Sequence, residues 1–247
     1  MKRLIISLLA FSIVLSITSC GITKKPKAAN PPYVSIAGGK SYQIPLKKQK
    51  DHYSVEDFKN LFSEYLKANN ISLETSPEND KTLISKEDQL KYYTIHDITP
   101  KEVKEELHCQ IFKVNYTLET YVINKGKIFP IGFGFGGAGI VNLSTCDFDE
   151  NGKKDLIYTF SFGSGLHRSH IGIFNFTNEK EEWLNFVQEN DDIMLEKLSD
   201  KSFKINTAKL SFSDDLDRSN YKLSKKDNIG DIQSVDGKAV ATKTTMK

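Results

Sequence analysis

Arginine is nearly missing from this 247-residue chain: Arg3, Arg168 and Arg218 are the whole set, against 32 acidic residues. With the lysines scattered rather than gathered on a stripe, no phosphate-neutralising surface is indicated, and nucleic acid is not among the expected partners. Cysteine is scarce too, at three residues with no C-x-x-C pair, and neither H-E-x-x-H nor G-x-S-x-G occurs. The usual signatures of zinc proteases, thiol oxidoreductases and α/β-hydrolases are therefore absent. The longest apolar run, Leu4–Ile17, has 14 residues, and a bilayer core needs about 20. No repeat of solenoid or propeller length is visible. What the chain does have is 38% hydrophobic and 27% charged residues, with 15 Phe and 10 Tyr. That composition excludes a disordered or collagen-like chain and suffices for one buried core.

The N-terminus reads as an export signal. Lys2 and Arg3 precede the apolar run, and Ile17-Thr18-Ser19-Cys20 closes it. That segment resembles the lipobox of bacterial lipoproteins. The resemblance implies that residues 1–19 are removed as a signal peptide and that Cys20 becomes a diacylglyceryl-modified N-terminus. The mature protein would then be an extracytoplasmic lipoprotein of the cell envelope, with the membrane its partner through the lipid anchor. Two acyl chains suffice for stable anchoring, at about 0.8 kcal/mol per buried CH₂. Residues 20–50 read as a basic tether: seven lysines, no acid, and Pro26, Pro31, Pro32 and Pro45. From Asp51 onward acidic residues exceed basic ones by seven, so the body is held off an anionic surface that the tether favours. An ordinary solvated linker fits the same tether composition.

Residues 51–247 are expected to form a single domain. Ser54-Val-Glu-Asp57 opens a helix as a capping box, and Phe58, Leu61, Phe62, Tyr65 and Leu66 form its apolar stripe. Thr99-Pro100 starts a second, two-turn helix with Thr99 as N-cap. Residues 71–90 read as an ordered loop or edge hairpin. From Cys109 the period changes to two, with strands expected at 139–143, 156–162, 171–176, 183–187, 193–198, 203–210, 231–235 and 239–242. Asn124-Lys-Gly126-Lys127 carries a hairpin turn. The expected fold class is α+β, with N-terminal helices packed on a large, mainly antiparallel sheet.

Asp147-Phe-Asp149-Glu-Asn151-Gly152-Lys153-Lys-Asp155-Leu156 is the most specific local pattern. Oxygen ligands at positions 1, 3, 5 and 9, with the Lys153 carbonyl at 7 and glycine at 6, suit a hard cation. Position 12 is Tyr158 rather than the glutamate of an EF-hand, and strands rather than helices flank the loop. In that setting the segment resembles a single unit of the FG-GAP/VCBS calcium-loop family, with Phe135-Gly136 twelve residues ahead of Asp147. The resemblance covers about 30 residues and implies that Asp147, Asp149, Asn151, Lys153 (main chain) and Asp155 ligate Ca²⁺. A good β-turn sequence accounts for Asp-Glu-Asn-Gly equally.

His167, Arg168 and His170 cluster after Gly163-Ser-Gly. They are candidates for an anionic ligand, for a metal with His96 or His108, or for a polar loop with local hydrogen bonds. Cys109 and Cys146 are either a disulfide or two buried thiols. Gly132-Phe-Gly-Phe-Gly-Gly137 fits G-x-G-x-x-G without a following helix, and Ser219-Asn-Tyr-Lys222 fits S-x-x-K by composition; neither is taken as a site. Trp183, beside Glu181 and Glu182, could stack on a sugar or be core. No catalytic set and no organic cofactor are indicated. The expected role is non-enzymatic, binding an envelope component or protein partner through the loops near 132–139 and 163–170. The rival is a hydrolase using His167, Arg168 and His170. Replacing Cys20 by alanine is expected to abolish incorporation of labelled palmitate and partition into a detergent phase, both measurable on the expressed full chain.

Overall fold

A computed structural model describes residues 40–71, 94–114, 119–134, 137–163, 165–212 and 221–244, all within one compact unit. The expected signal peptide, Cys20, most of the expected tether and most of the 71–90 segment lie outside the described residues. Two α-helices, α1 (Val55–Ala68) and α2 (Lys101–Leu107), accompany thirteen strands among the described residues. The strands form three antiparallel sheets.

The first sheet has the order β1-β5-β4-β3-β2: β1 (Tyr42–Gln43), β2 (Ile95–Asp97), β3 (Gln110–Val114), β4 (Glu119–Asn124) and β5 (Lys127–Ile131). The second runs in sequence through β6 (Gly139–Cys146), β7 (Asp155–Phe162), β8 (Arg168–Asn175) and β9 (Lys180–Glu189). The third does likewise through β10 (Asp192–Ser199), β11 (Ser202–Phe212), β12 (Tyr221–Val235) and β13 (Lys238–Lys243). Lys125 and Gly126, at φ 46° and 72°, make the β4–β5 turn with both central residues left-handed, the conformation that matches strand twist in a two-residue hairpin.

Alternation along the strands sets the layering. On the first sheet Phe112, Val114, Tyr121, Ile123 and Ile128 face α1, while Ile111, Val122, Phe129 and Ile131 join Leu156, Tyr158, Phe160 and Phe174 of the second sheet. The opposite face of the second sheet, with Ile157, Ile171, Leu184 and Phe186, meets Ile193, Leu195, Phe203, Ile205 and Ile232 of the third. The second sheet is therefore covered on both faces, and β7 is buried along its whole length except Phe162. α1 is capped as expected: Ser54 Oγ accepts from Asp57 N at 3.1 Å, and Asp57 Oδ2 accepts from Ser54 N at 3.0 Å. Its Phe58 ring stacks on Phe112 at 4.3 Å.

The expected fold class is corrected, and three finer readings are revised or narrowed. The class is not α+β with N-terminal helices on one large sheet but predominantly β, three stacked antiparallel sheets with two short helices. The period-two segments outnumber the helical ones, and their turns divide them into three separate sheets. Residues 40–50 are not tether: β1 pairs with β5, and Ile44 is fully buried. Cys109 and Cys146 make no disulfide; both are free, buried thiols in different core clusters. At α2 the cap position is Pro100 rather than Thr99, because the Thr99 hydroxyl is engaged by Asp97 and Ile111. Truncating Phe112 to alanine removes the ring between α1 and the first sheet and is expected to cost about 3–5 kcal/mol, read as a lower urea midpoint at unchanged slope.

Candidate functional site

The 147–155 loop joins β6 to β7 at one end of the middle sheet. Glu150 and Gly152 take left-handed conformations, at φ 57° and 76°, and fold the loop back so that its carboxylates turn inward. Asp147 accepts from Asn151 N at 3.1 Å and Gly152 N at 3.2 Å. Asp149 accepts from Asn151 N and from Asn151 Nδ2 at 2.8 Å, while Asn151 Oδ1 accepts from Lys153 N at 2.7 Å. Lys153 itself is on the exposed turn. Asp155 starts β7, is only 4% exposed, and accepts from Phe176 N at 3.1 Å.

Asn175, at the end of β8, is the member that sequence reasoning missed. Its Nδ2 donates to Asp155 at 2.8 Å and reaches Asp149 at 3.4 Å. The neighbouring strand brings it there, and no local spacing could announce it. Burial first, then the charges of Asp149 and Asp147, push the Asp155 carboxyl up to about 6. Burial is the larger cause and the neighbouring carboxylates add to it, while Lys201 feels the Asp147 charge from the rim of the loop. Among the described residues no group of three or more His, Cys, Asp or Glu is arranged to hold a metal ion. The carboxylates are turned onto the loop's own amides instead. The donor set is right in kind for a hard cation, all oxygen, though its present partners are N–H groups. Outside the loop, Asp147 N donates to Asp200 O at 2.8 Å, Glu150 pairs with Lys201 at 2.7 Å, and Ser234 Oγ donates to Phe148 O at 2.6 Å. These bonds tie the loop to the turns of the third sheet.

At the opposite end of β7 lie the histidines. β8 begins at Arg168, so the expected loop with converging histidines is replaced by a strand from that residue on. His167 Nε2 meets Asp192 Oδ1 at 3.0 Å, and Ser169 Oγ donates to the same oxygen at 3.3 Å. Asp192 is buried, and its hydrogen bond with His167 raises the imidazole above its usual range against the opposing effect of burial. Arg168 reaches Glu189 at 3.6 Å, both exposed. His170 instead enters a column of rings: Phe162 lies at 4.9 Å and 8°, Phe160 at 5.5 Å and 22°. Burial, then Arg168, lowers its pKa. The two histidines thus serve different partners. His96 lies on β2, and His108 caps α2 in a left-handed conformation.

Two buried groups carried no sequence signal. Lys113 is fully buried between the first and second sheets and donates to Ala138 O at 2.6 Å and Ile140 O at 3.0 Å; burial brings its ammonium down to about 7, opposed by Asp192. Glu119 is buried, and desolvation followed by the Glu181 charge pushes it up to about 8. The glycine tract is packed rather than nucleotide-binding: a Cβ on Gly137 would fall 2.3 Å from Ser161 O, and Ala138 N donates to Ser161 Oγ at 3.1 Å. Phe135 and Gly136 are outside the described residues.

Comparison of the chain with protein-family models, with curated proteins and with solved structures finds no match in any of the three. The likeness to an FG-GAP unit therefore rests on the residues of the loop alone.

His167 supplies a pH test. Its raised folded-state pKa contributes stability that is fully present below the ordinary histidine value and is lost as pH rises through the raised value. Asp192→Asn is expected to lower the His167 pKa in an NMR titration and to flatten the melting temperature over that pH window.

Proposed function

We propose that this protein is a lipid-anchored, extracytoplasmic binding protein of the bacterial cell envelope. In this reading a Ca²⁺ ion in the 147–155 loop stiffens the fold and has no chemical role. The observation that supports the ion is the company of Asp155: a buried carboxyl raised by burial and by Asp149 and Asp147, with no cationic side chain among its hydrogen-bond partners. Asp147, Asp149, Asn151, the Lys153 carbonyl and Asp155 would hold the ion, with Asn175 fixing two of the carboxylates from β8. Lys201 and Lys154 are paired with Glu150 and Asp200, and Lys201 also feels the Asp147 charge, a competing cation that an ion in the loop would have to offset.

The histidine end favours binding over hydrolysis. A hydroxyl nucleophile needs a base on its own oxygen. Here Ser169 Oγ and His167 Nε2 engage the same carboxylate oxygen of Asp192, so Ser169 is bonded to the acid rather than to the imidazole. His170 is held among aromatic rings. Neither histidine stands as a general base on a side-chain hydroxyl, which supports binding over the hydrolase alternative.

A melt of the whole chain across a Ca²⁺ titration tests the ion. Ligation to the native state alone should raise the melting temperature by about 3–10 °C at ten to a hundred times Kd. The double variant Asp147→Ala/Asp149→Ala should melt at the same temperature with and without Ca²⁺. Equal melts of the native chain in chelator and in millimolar Ca²⁺ would reduce the loop to a β-turn.

A further inference from the structure

The only tryptophan in the chain, Trp183, is 43% exposed. It stands on β9, an outer strand of the middle sheet, directly opposite Gly172 on β8. Gly172 has no side chain to offer and cannot gain one, since a Cβ there would lie 2.6 Å from the Tyr158 ring. The indole leans across that gap onto Phe160 at 4.8 Å, His170 at 5.6 Å and Phe162 at 6.1 Å. Phe133 then backs Phe162 edge-on at 4.9 Å. Three rings fix the indole's orientation while leaving part of it in water, so a partner stacking on it would have little ordering cost to meet.

The strand around the ring is shaped as well. His170 pairs with Val187 but Gly172 with Trp183, so a two-residue step on β8 is matched by four residues on β9. This bulge begins immediately after Trp183, and bulges of this kind re-aim side chains and interrupt an edge. The interruption disfavours addition of a peptide strand, which needs a regular run of unpaired amides. Charge disfavours an anion: Glu181 and Glu182 directly precede the ring, against Lys180 on the same strand, while Arg168 on the facing strand is paired with Glu189. Carboxylates, and the amide of the exposed Asn185 next but one along the strand, are instead suited to hydroxyl groups. An apolar face with a rim of hydroxyls is the chemistry of a neutral sugar ring.

We propose that Trp183, propped by Phe160, Phe162 and His170, is a stacking site for a neutral saccharide ring of an envelope glycan. The inference rests on the binding-protein reading above and gives its ligand a chemical class. Phe133, packed on Phe162, flanks the site.

Because Trp183 is the sole tryptophan, its emission reports on this site with no label. The full chain, purified in detergent, is titrated with the neutral trimer of N-acetylglucosamine. A saturable change in tryptophan emission is expected, with calorimetric binding weakened about tenfold or more in Trp183→Ala and less in Trp183→Phe, which keeps a ring. Melting curves of both variants show whether they are folded, and the native-chain titration needs neither. No saturable change at millimolar trimer, or equal binding by a folded Trp183→Ala, would overturn the site. Co-sedimentation with insoluble bacterial cell-wall glycan separates the two levels. Equal sedimentation of native chain and Trp183→Ala would remove the Trp183 site and leave envelope binding standing; failure of both to sediment would remove both.

Discussion

The double-sided burial of the middle sheet is the constraint from which the rest of the structure follows. Its strand β7 puts Leu156, Tyr158 and Phe160 against the first sheet and Ile157 against the third, with Asp155, Thr159 and Ser161 buried on the Ile157 face, so the strand is enclosed on both sides. A one-residue slip would carry Asp155, Thr159 and Ser161 into the apolar layer against the first sheet. The native register must in turn give each buried polar group a fixed partner. Specific polar contacts supply it: Thr159 Oγ1 donates to Ile193 O at 2.9 Å, Ala138 N donates to Ser161 Oγ at 3.1 Å, and the Tyr158 hydroxyl is bonded to Glu181. Each is satisfied only in one alignment of its strands.

Lys113 and Asp192 show what this enclosure demands of ionisable groups. A fully buried ammonium loses several kcal/mol of hydration, and Lys113 recovers part of it from two backbone carbonyls at the start of β6. Those carbonyls belong to Ala138 and Ile140, where the chain leaves the glycine tract and enters the middle sheet. The lysine thereby holds the entry of β6 against β3, while the lowered pKa shows that the recovery is incomplete. Asp192 plays a comparable part at the entry of β10, joining His167 and Ser169. Polar groups at strand entries fix where each layer begins, and the apolar faces between them fill in the packing.

Legibility followed locality. The capping box at Ser54 and Asp57, the stripe of α1, the turn at Lys125-Gly126 and the strands of the second and third sheets rest on neighbours within a few residues, and could be read directly. The class could not. A period of two marks a strand but does not say how many sheets the strands make, because sheet membership depends on pairings such as β1 with β5, more than 80 residues apart. Residues 40–50 looked like linker because they hold four lysines, Pro45 and no acid, and only the long-range pairing draws them into the body. The loop at 147–155 was visible as a spacing, whereas Asn175 was not, since it arrives from another strand. Trp183 beside its glutamates was visible as a residue with two readings, and the bulge that leaves it exposed has no local mark.

The geometry of β7 also separates the two candidate sites. Asp155 begins the strand and Phe162 ends it, while Trp183 is level with Tyr158 through Gly172, three residues along and two strands across from Asp155, roughly 14 Å away. A cation at the loop would not touch the tryptophan, and its charge would be only partly screened over that distance in salt. What joins the ends is mechanical. Both sit on the strand whose register the polar contacts fix, and the loop is bonded to Asp200, Lys201 and Ser234 of the third sheet. An ion there would clamp the second sheet to the third, and its effect on the far end would be confined to how firmly β7 and β8 are held beneath the rings. Such an arrangement suits a rigid binding face better than a switch, because both ends are held by the same bonded strands.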